Sequence, residues 1–162
     1  MRSPRRLQVA RVVFAKDIRI ERRSKVLTSQ IIPFAVVTLV LFAFALDGDA
    51  ILQRTAPGLV WLAMLFSSMI IVQRSFAVET ADGALDALRV AGADMSAVFW
   101  GKCSALVVQL LMLELVLLVG AIVMFGIELR GSGVVLLVTS SISATCGLSA
   151  VSTIYAGLAS GV

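Results

Sequence analysis

Residues 73–102 read QRSFAVETADGALDALRVAGADMSAVFWGK, and the interpretation of the whole chain turns on this stretch. It is the long polar interval between apolar runs once the chain has turned hydrophobic. Ala81, Ala84, Leu85, Leu88 and Ala91 recur at steps of three and four, which gathers them on one face of a helix. Asp82, Asp86 and Arg89 fall on the opposite face. Gly92 follows where a helix C-terminus favours a residue free to turn left-handed. The pattern predicts a short amphipathic helix over 81–91, lying at a membrane surface and offering a face to a partner.

Apolar runs flank the stretch on both sides. The 162 residues are 59% hydrophobic and 15% charged, with mean hydropathy +1.00. A soluble domain carries about 25% charged residues, so the composition predicts an all-α, multi-span membrane protein with a single domain over 1–162. Working outward, span two is expected over 57–72 and span one over 26–46, separated by a polar connection at 47–55. Span three is expected over 99–125 and span four over 134–156, joined by a polar turn at 128–133. Roughly 20 residues suffice to cross a ~30 Å hydrocarbon core. Pro33 and Pro57 are tolerable in the first turns of spans one and two. Span four is rich in small and hydroxyl residues, among them Ser140, Ser141, Thr145, Ser149 and Thr153, which let helices approach closely in lipid.

Charge is segregated. Residues 1–25 hold nine basic residues, opposed by Asp17 and Glu21. Leu7, Ala10, Phe14 and Ile18 share a helical face there, with Arg11, Lys16, Arg19 and Arg23 on the polar side. This predicts an interfacial helix over 1–25 that meets anionic membrane lipid. The basic region is too long for a signal peptide, and no small-residue cleavage site ends the apolar run. The N-terminal arm and residues 73–102 together hold twelve of the fourteen Lys and Arg. Positive charge stays inside, so the N-terminus and the 73–98 loop are expected to be cytoplasmic.

The net charge of +4 does not point to nucleic acid, because no basic and aromatic groove accompanies it. There is no histidine, which removes the commonest metal and haem ligand and the usual catalytic base. Gly101-Lys102 lacks the upstream glycine and the following Ser or Thr of a phosphate loop, so any ATP used is hydrolysed on another chain. Cys103 and Cys146 sit in different apolar runs and are expected to be small buried thiols. Gln109 and Glu114 are the polar residues within span three. A carboxylate in the bilayer must face a bundle interior, pair or stay protonated. Glu114 is therefore either a proton or substrate site or a neutral partner in an interhelical hydrogen bond.

A basic interfacial helix, a span pair and an amphipathic helix before span three resemble an ABC-2-type permease. The order of Ala56-Pro57-Gly58-Leu59-Val60-Trp61, Ser67-Ser68, Arg74-x-Phe76, Glu79-x-x-Asp82-Gly83-x-Leu85-Asp86-x-Leu88 and Gly101-Lys102 is similar to the haem exporter protein B (CcmB) family. So is the run from Gly147 through Leu158. Members of that family carry about six spans, so the resemblance predicts that this chain is truncated after its fourth span, either as a fragment or with the rest lying on another chain. It further implies a permease subunit of an ABC transporter complex in cytochrome c biogenesis, in the bacterial inner membrane. The resemblance also implies a subunit that is not itself an enzyme.

By that resemblance the partners are a CcmA-like ABC ATPase subunit and CcmC-, CcmD- and CcmE-like haem-handling proteins. No cofactor is bound directly; the ATPase uses ATP, and the complex handles haem. The 81–91 helix is then the coupling helix, with Leu85 and Leu88 in a docking groove, Asp82 and Asp86 at its rim, Gly83 allowing close approach and Glu79 at its approach. Two other readings stay open: a proton-coupled small-solute antiporter using Glu114, and a membrane scaffold without transport.

Overall fold

The computed structural model describes residues 3–46, 49–81, 90, 92, 94–126 and 131–159. They form helices, with no strand among the described residues. Helix α1 is Ser3–Ser24, a π-helical turn spans Leu27–Ile31, and α2 is Ile32–Ala45. Helix α3 is Asp49–Ala81, α4 is Met95–Phe125 and α5 is Gly131–Ala159. Four helical segments are long and apolar enough to cross a membrane: Leu27–Ala45, Arg54–Ala77, Met95–Phe125 and Gly133–Leu158. The chain is an all-α, multi-pass membrane bundle.

Helix α4 is the hub, packing against α1, α2, α3 and α5. The core explains why. Leu27, Ile31, Ala35 and Leu39 recur every four residues through the π turn and α2. They meet Leu106, Leu110, Leu113 and Leu117, which recur at steps of four, three and four along α4. Val60, Ala63, Met64 and Ile71 of α3 complete the seam. Gly120 lies beside Leu39, where an added Cβ would stand 3.4 Å from the leucine methyl.

The turn from α1 into the first span is built without glycine. Lys25 takes φ 53°, and its N–H reaches the Glu21 carbonyl at 2.8 Å, closing a left-handed helix cap. The Glu21 side chain reaches the other way. Its Oε1 accepts the Leu27 N–H at 2.6 Å, satisfying a donor that the new helix leaves open. Pro33 follows in the first turn of α2. It cannot donate a backbone bond, and the wide π turn before it absorbs that loss.

Several elements depart from the expected boundaries. Helix α3 is longer at both ends than the 57–72 span, beginning within the expected 47–55 connection and continuing well past Gln73. Pro57 therefore lies inside the helix, well past its first turn. Polarity at Gln73 and Arg74 does not end a helix, and between Gly58 and Gly83 the sequence has no glycine or proline to break it. Helix α4 starts four residues before the expected Phe99, at Met95, capped by Asp94. Cys103 is buried, but Cys146 is exposed on the bundle's apolar exterior, because the face that α5 buries is its hydroxyl stripe rather than its thiol.

Candidate functional site

The N-terminal end of α4 carries an unusual buried charge. At about 1.5 Å per residue, the 31 residues of α4 extend roughly 46 Å, well beyond a ~30 Å core. The helix is longer than one perpendicular crossing needs, and α1 lies across its first turns. Gly101 is the crossing point. A Cβ there would fall 2.7 Å from the Ala10 carbonyl oxygen and 2.8 Å from Val13 Cβ, closer than real atoms pack. Hydrogen is the side chain that fits.

The next residue, Lys102, is 2% exposed. Its Nζ lies 3.6 Å from Asp17 Oδ2 of α1, itself 8% exposed. Lys16 Nζ approaches the other carboxylate oxygen at 3.4 Å. Lys102 Nζ also donates to the Ser75 carbonyl of α3 at 3.5 Å and sits 4.5 Å from the centroid of the Phe76 ring. One ammonium thus binds three helices: α1 through a carboxylate, α3 through a carbonyl and a ring, and α4 through its own backbone. A small cavity of about 30 Å³ adjoins the clamp, lined by Asp17, Glu21, Arg74, Ser75 and Gln109 with three isoleucines.

A second tie holds the outer end of the same junction. Asp94 caps α4 by accepting the Ser96 N–H at 3.0 Å and the Ser96 hydroxyl at 2.6 Å. Its other oxygen meets Arg6 Nε of α1 at 2.6 Å. The Ser96 hydroxyl, the Ser96 amide and then the Arg6 charge hold the Asp94 carboxyl below its ordinary value of 3.8.

The intramembrane residues lie elsewhere. Glu114 is buried, and its Oε2 accepts the Thr145 hydroxyl of α5 at 2.8 Å. The contact is a hydrogen bond between helices α4 and α5. Above and below it, Ser141, Ser149 and Thr153 continue the buried hydroxyl stripe of α5. Ser149 Oγ lies 3.4 Å from Cys103 Sγ. In α3, Ser68 bonds back to the Leu65 carbonyl at 2.8 Å, whereas the buried Ser67 hydroxyl has no hydrogen-bond partner among the described residues. Gln109 is not beside Glu114; it belongs with the cavity near Asp17.

Of the coupling residues expected from sequence, Glu79 falls in the last turn of α3, with its side chain outside the described set. Asp82, Gly83, Leu85, Asp86 and Leu88 lie outside the described residues. Gly92 has φ 69°, in the left-handed region. Sequence reasoning passed over the Asp17–Lys102 pair. Its signals were an acid within a basic helix and a glycine directly preceding a lysine.

A model of the CcmB protein family matches residues 8–162. The chain belongs to the CcmB family. It is 28% identical over 94 residues to Heme exporter protein B of Escherichia coli (strain K12), an alignment covering 57% of this chain and 43% of that protein. It is 41% identical over 70 residues to Heme exporter protein B of Rhodobacter capsulatus, covering 43% of this chain and 32% of that protein. A third relative, Heme exporter protein B of Paracoccus denitrificans, is 41% identical over 56 residues, covering 35% and 25% of the two chains. The chain matches less than half the length of each of these CcmB relatives. No solved structure matches it.

Proposed function

We propose that this chain is the membrane-spanning permease part of an ABC transporter complex that serves cytochrome c maturation. Family membership and the relatives' printed names support haem as what the complex handles. A partner of the CcmA kind hydrolyses ATP, and CcmC-, CcmD- and CcmE-like proteins handle haem beside it. The work done is delivery of haem or release of a haem-loaded chaperone. The chain itself performs no catalysis. The charge bias supports an inner-membrane protein with its N-terminus and the segment after Ala81 on the cytoplasmic side.

The observation that carries this reading is the Lys102 clamp. The polar segment follows the last turn of α3 in sequence and precedes the first turn of α4. Lys102 joins both ends to α1 through Asp17, Ser75 and Phe76. Force applied to that segment by a closing ATPase pair reaches α1, α3 and α4 together rather than bending one of them. Leu85 and Leu88 supply the docking surface, with Glu79, Asp82, Gly83 and Asp86 around it.

The test separates docking from transmission. With both Leu85→Asp and Leu88→Asp, the ATPase subunit no longer co-purifies. With Asp17→Asn and Lys102→Met together, it co-purifies, but haem transfer no longer follows ATP hydrolysis. Wild-type ATPase recovery from the leucine variant, or undiminished haem transfer in the clamp variant, would overturn the proposal.

A further inference from the structure

The small cavity beside the clamp is walled by four separate elements. Asp17 and Glu21 come from α1, Arg74 and Ser75 from α3 and Gln109 from α4, with isoleucines of α1, α3 and the π turn between them. The crossing at Gly101 explains why a gap forms there. The two backbones touch at Ala10 and Val13 because glycine has no Cβ. Straight helices that touch at one point part on either side of it. Glu21 and Gln109 lie about two turns past that point on their helices. Helix α3 and Ile31 close the space that opens between them.

The wall has polar groups in need of a partner. Gln109 is 8% exposed, and among the described residues no hydrogen bond holds its amide. That amide has two donors and an acceptor, and burying it without a partner is costly. Glu21 gives one carboxylate oxygen to the Leu27 N–H and has a second. Ser75 adds a hydroxyl and Arg74 a guanidinium.

Size and charge decide what answers them. A water molecule needs about 10–15 Å³ of room for its centre, so the cavity's 30 Å³ admits one or two and no organic ligand. A metal ion has no surplus of negative charge to select it. The two carboxylates are met by Arg74 in the wall and by Lys16 and Lys102 around Asp17. Empty cavities in proteins are apolar, and a buried water typically makes about three hydrogen bonds. Gln109, Glu21 and Ser75 supply that number from three helices.

We infer that this cavity holds one or two internal waters, which bridge the Gln109 amide of α4 to Glu21 of α1 and to Ser75 and Arg74 of α3. The junction of α1 with the spans is therefore a hydrated joint beside the Lys102 clamp. The site depends on how these helices pack and not on whether an ATPase docks elsewhere.

The test is water-edited solid-state NMR on the full chain in phosphatidylcholine bilayers, which times the transfer of magnetisation from water to each side chain. Ile31 and Ile71 are each 2% exposed and line the cavity, whereas Leu113 and Leu117 are fully buried away from it. In the wild type, water signal reaches the Gln109 amide and the Ile31 and Ile71 methyls several-fold faster than the Leu113 and Leu117 methyls. In Gln109→Leu the two isoleucines slow to the level of the leucines. Gln109→Asn, which keeps an amide in a slightly larger space, retains the fast transfer. Isoleucines as slow as the leucines in the wild type mean a dry cavity and overturn the site. Faster transfer to them from lipid acyl chains than from water also overturns it and makes the occupant a lipid. Fast transfer that persists unaltered in Gln109→Leu overturns it as well, since water would then reach the isoleucines without the bridge.

Discussion

Helix α4 buries an ionisable group at each of two levels and holds them by different means. Near its start, Lys102 is held by a carboxylate, a carbonyl and an aromatic ring from two other helices. Further along, Glu114 is held by one hydroxyl from one helix, Thr145 of α5. The first arrangement loses a charged partner when either Asp17 or Lys102 is replaced. The second rests on a single hydrogen bond from a neutral hydroxyl. The lysine end is therefore the rigid part of the molecule's polar design, and the glutamate end the replaceable part.

Four experiments press on that contrast. The largest effect belongs to Lys102→Met alone. It takes the buried ammonium from Asp17, which keeps its 3.4 Å contact with Lys16, so the loss is part of the about 3–5 kcal/mol that a fully broken buried pair costs; resistance to denaturant in detergent falls accordingly. Adding Asp17→Asn recovers much of the loss. If the single and double variants unfold together, the two groups do not act as a pair.

Gly101→Leu comes next. Its Cβ meets the backbone and Cβ atoms of α1 below 3 Å, so α1 must lift from α4. Overpacking of this kind costs about 1–3 kcal/mol, and a spin-label distance between the two helices lengthens. An unchanged distance would mean that the crossing is looser than the geometry indicates.

Glu114→Gln should leave stability nearly unaltered, because the amide still accepts from Thr145. Glu114→Leu loses about 0.6 kcal/mol, the average for hydrogen bonds between membrane helices, and at most about 1.7 kcal/mol. A large loss with glutamine would show that the carboxylate itself matters, and the contrast with Lys102 would fail.

The smallest effect concerns Asp94. Its carboxyl is held below the ordinary value by Ser96, with a smaller contribution from Arg6. Stability from a depressed carboxyl is present above the unfolded value and fades as pH falls through the lower folded one. Asparagine caps a helix about as well as aspartate, so Asp94→Asn removes the Arg6 pair and leaves the cap. The wild type should be slightly more resistant to unfolding than Asp94→Asn near neutral pH. That margin should persist down to about pH 4 and close below it. A margin that is already gone at pH 6 would assign it to something other than this carboxyl.

The spans themselves were legible because apolar runs of sufficient length have few other uses. Family membership followed from the order of motifs along them. The Gln73–Ala77 portion of α3 was not legible as helix, since a polar run beside a span resembles an exit from the bundle. The absence of any breaker from Leu59 to Asp82 was the better guide. The clamp was hidden for a different reason. Asp17 and Lys102 sit far apart in sequence, each among residues of ordinary polarity, and only the close approach at Gly101 brings them together. Glu114 stood out at once because it is alone in apolar surroundings, yet its partner had to come from a span with many hydroxyls, and periodicity does not choose Thr145 among them.

The reversal at Lys25 has a mechanical meaning. A joint made of glycine would swing freely and absorb any displacement of the arm. Here a side-chain-bearing residue is set left-handed, Lys25 N–H grips the helix behind it, and Glu21 grips the helix ahead. The arm and the first crossing are thus two limbs of one bent crank: when α1 tilts on its bearing at Gly101, the elbow gives no slack and the first span must turn with it.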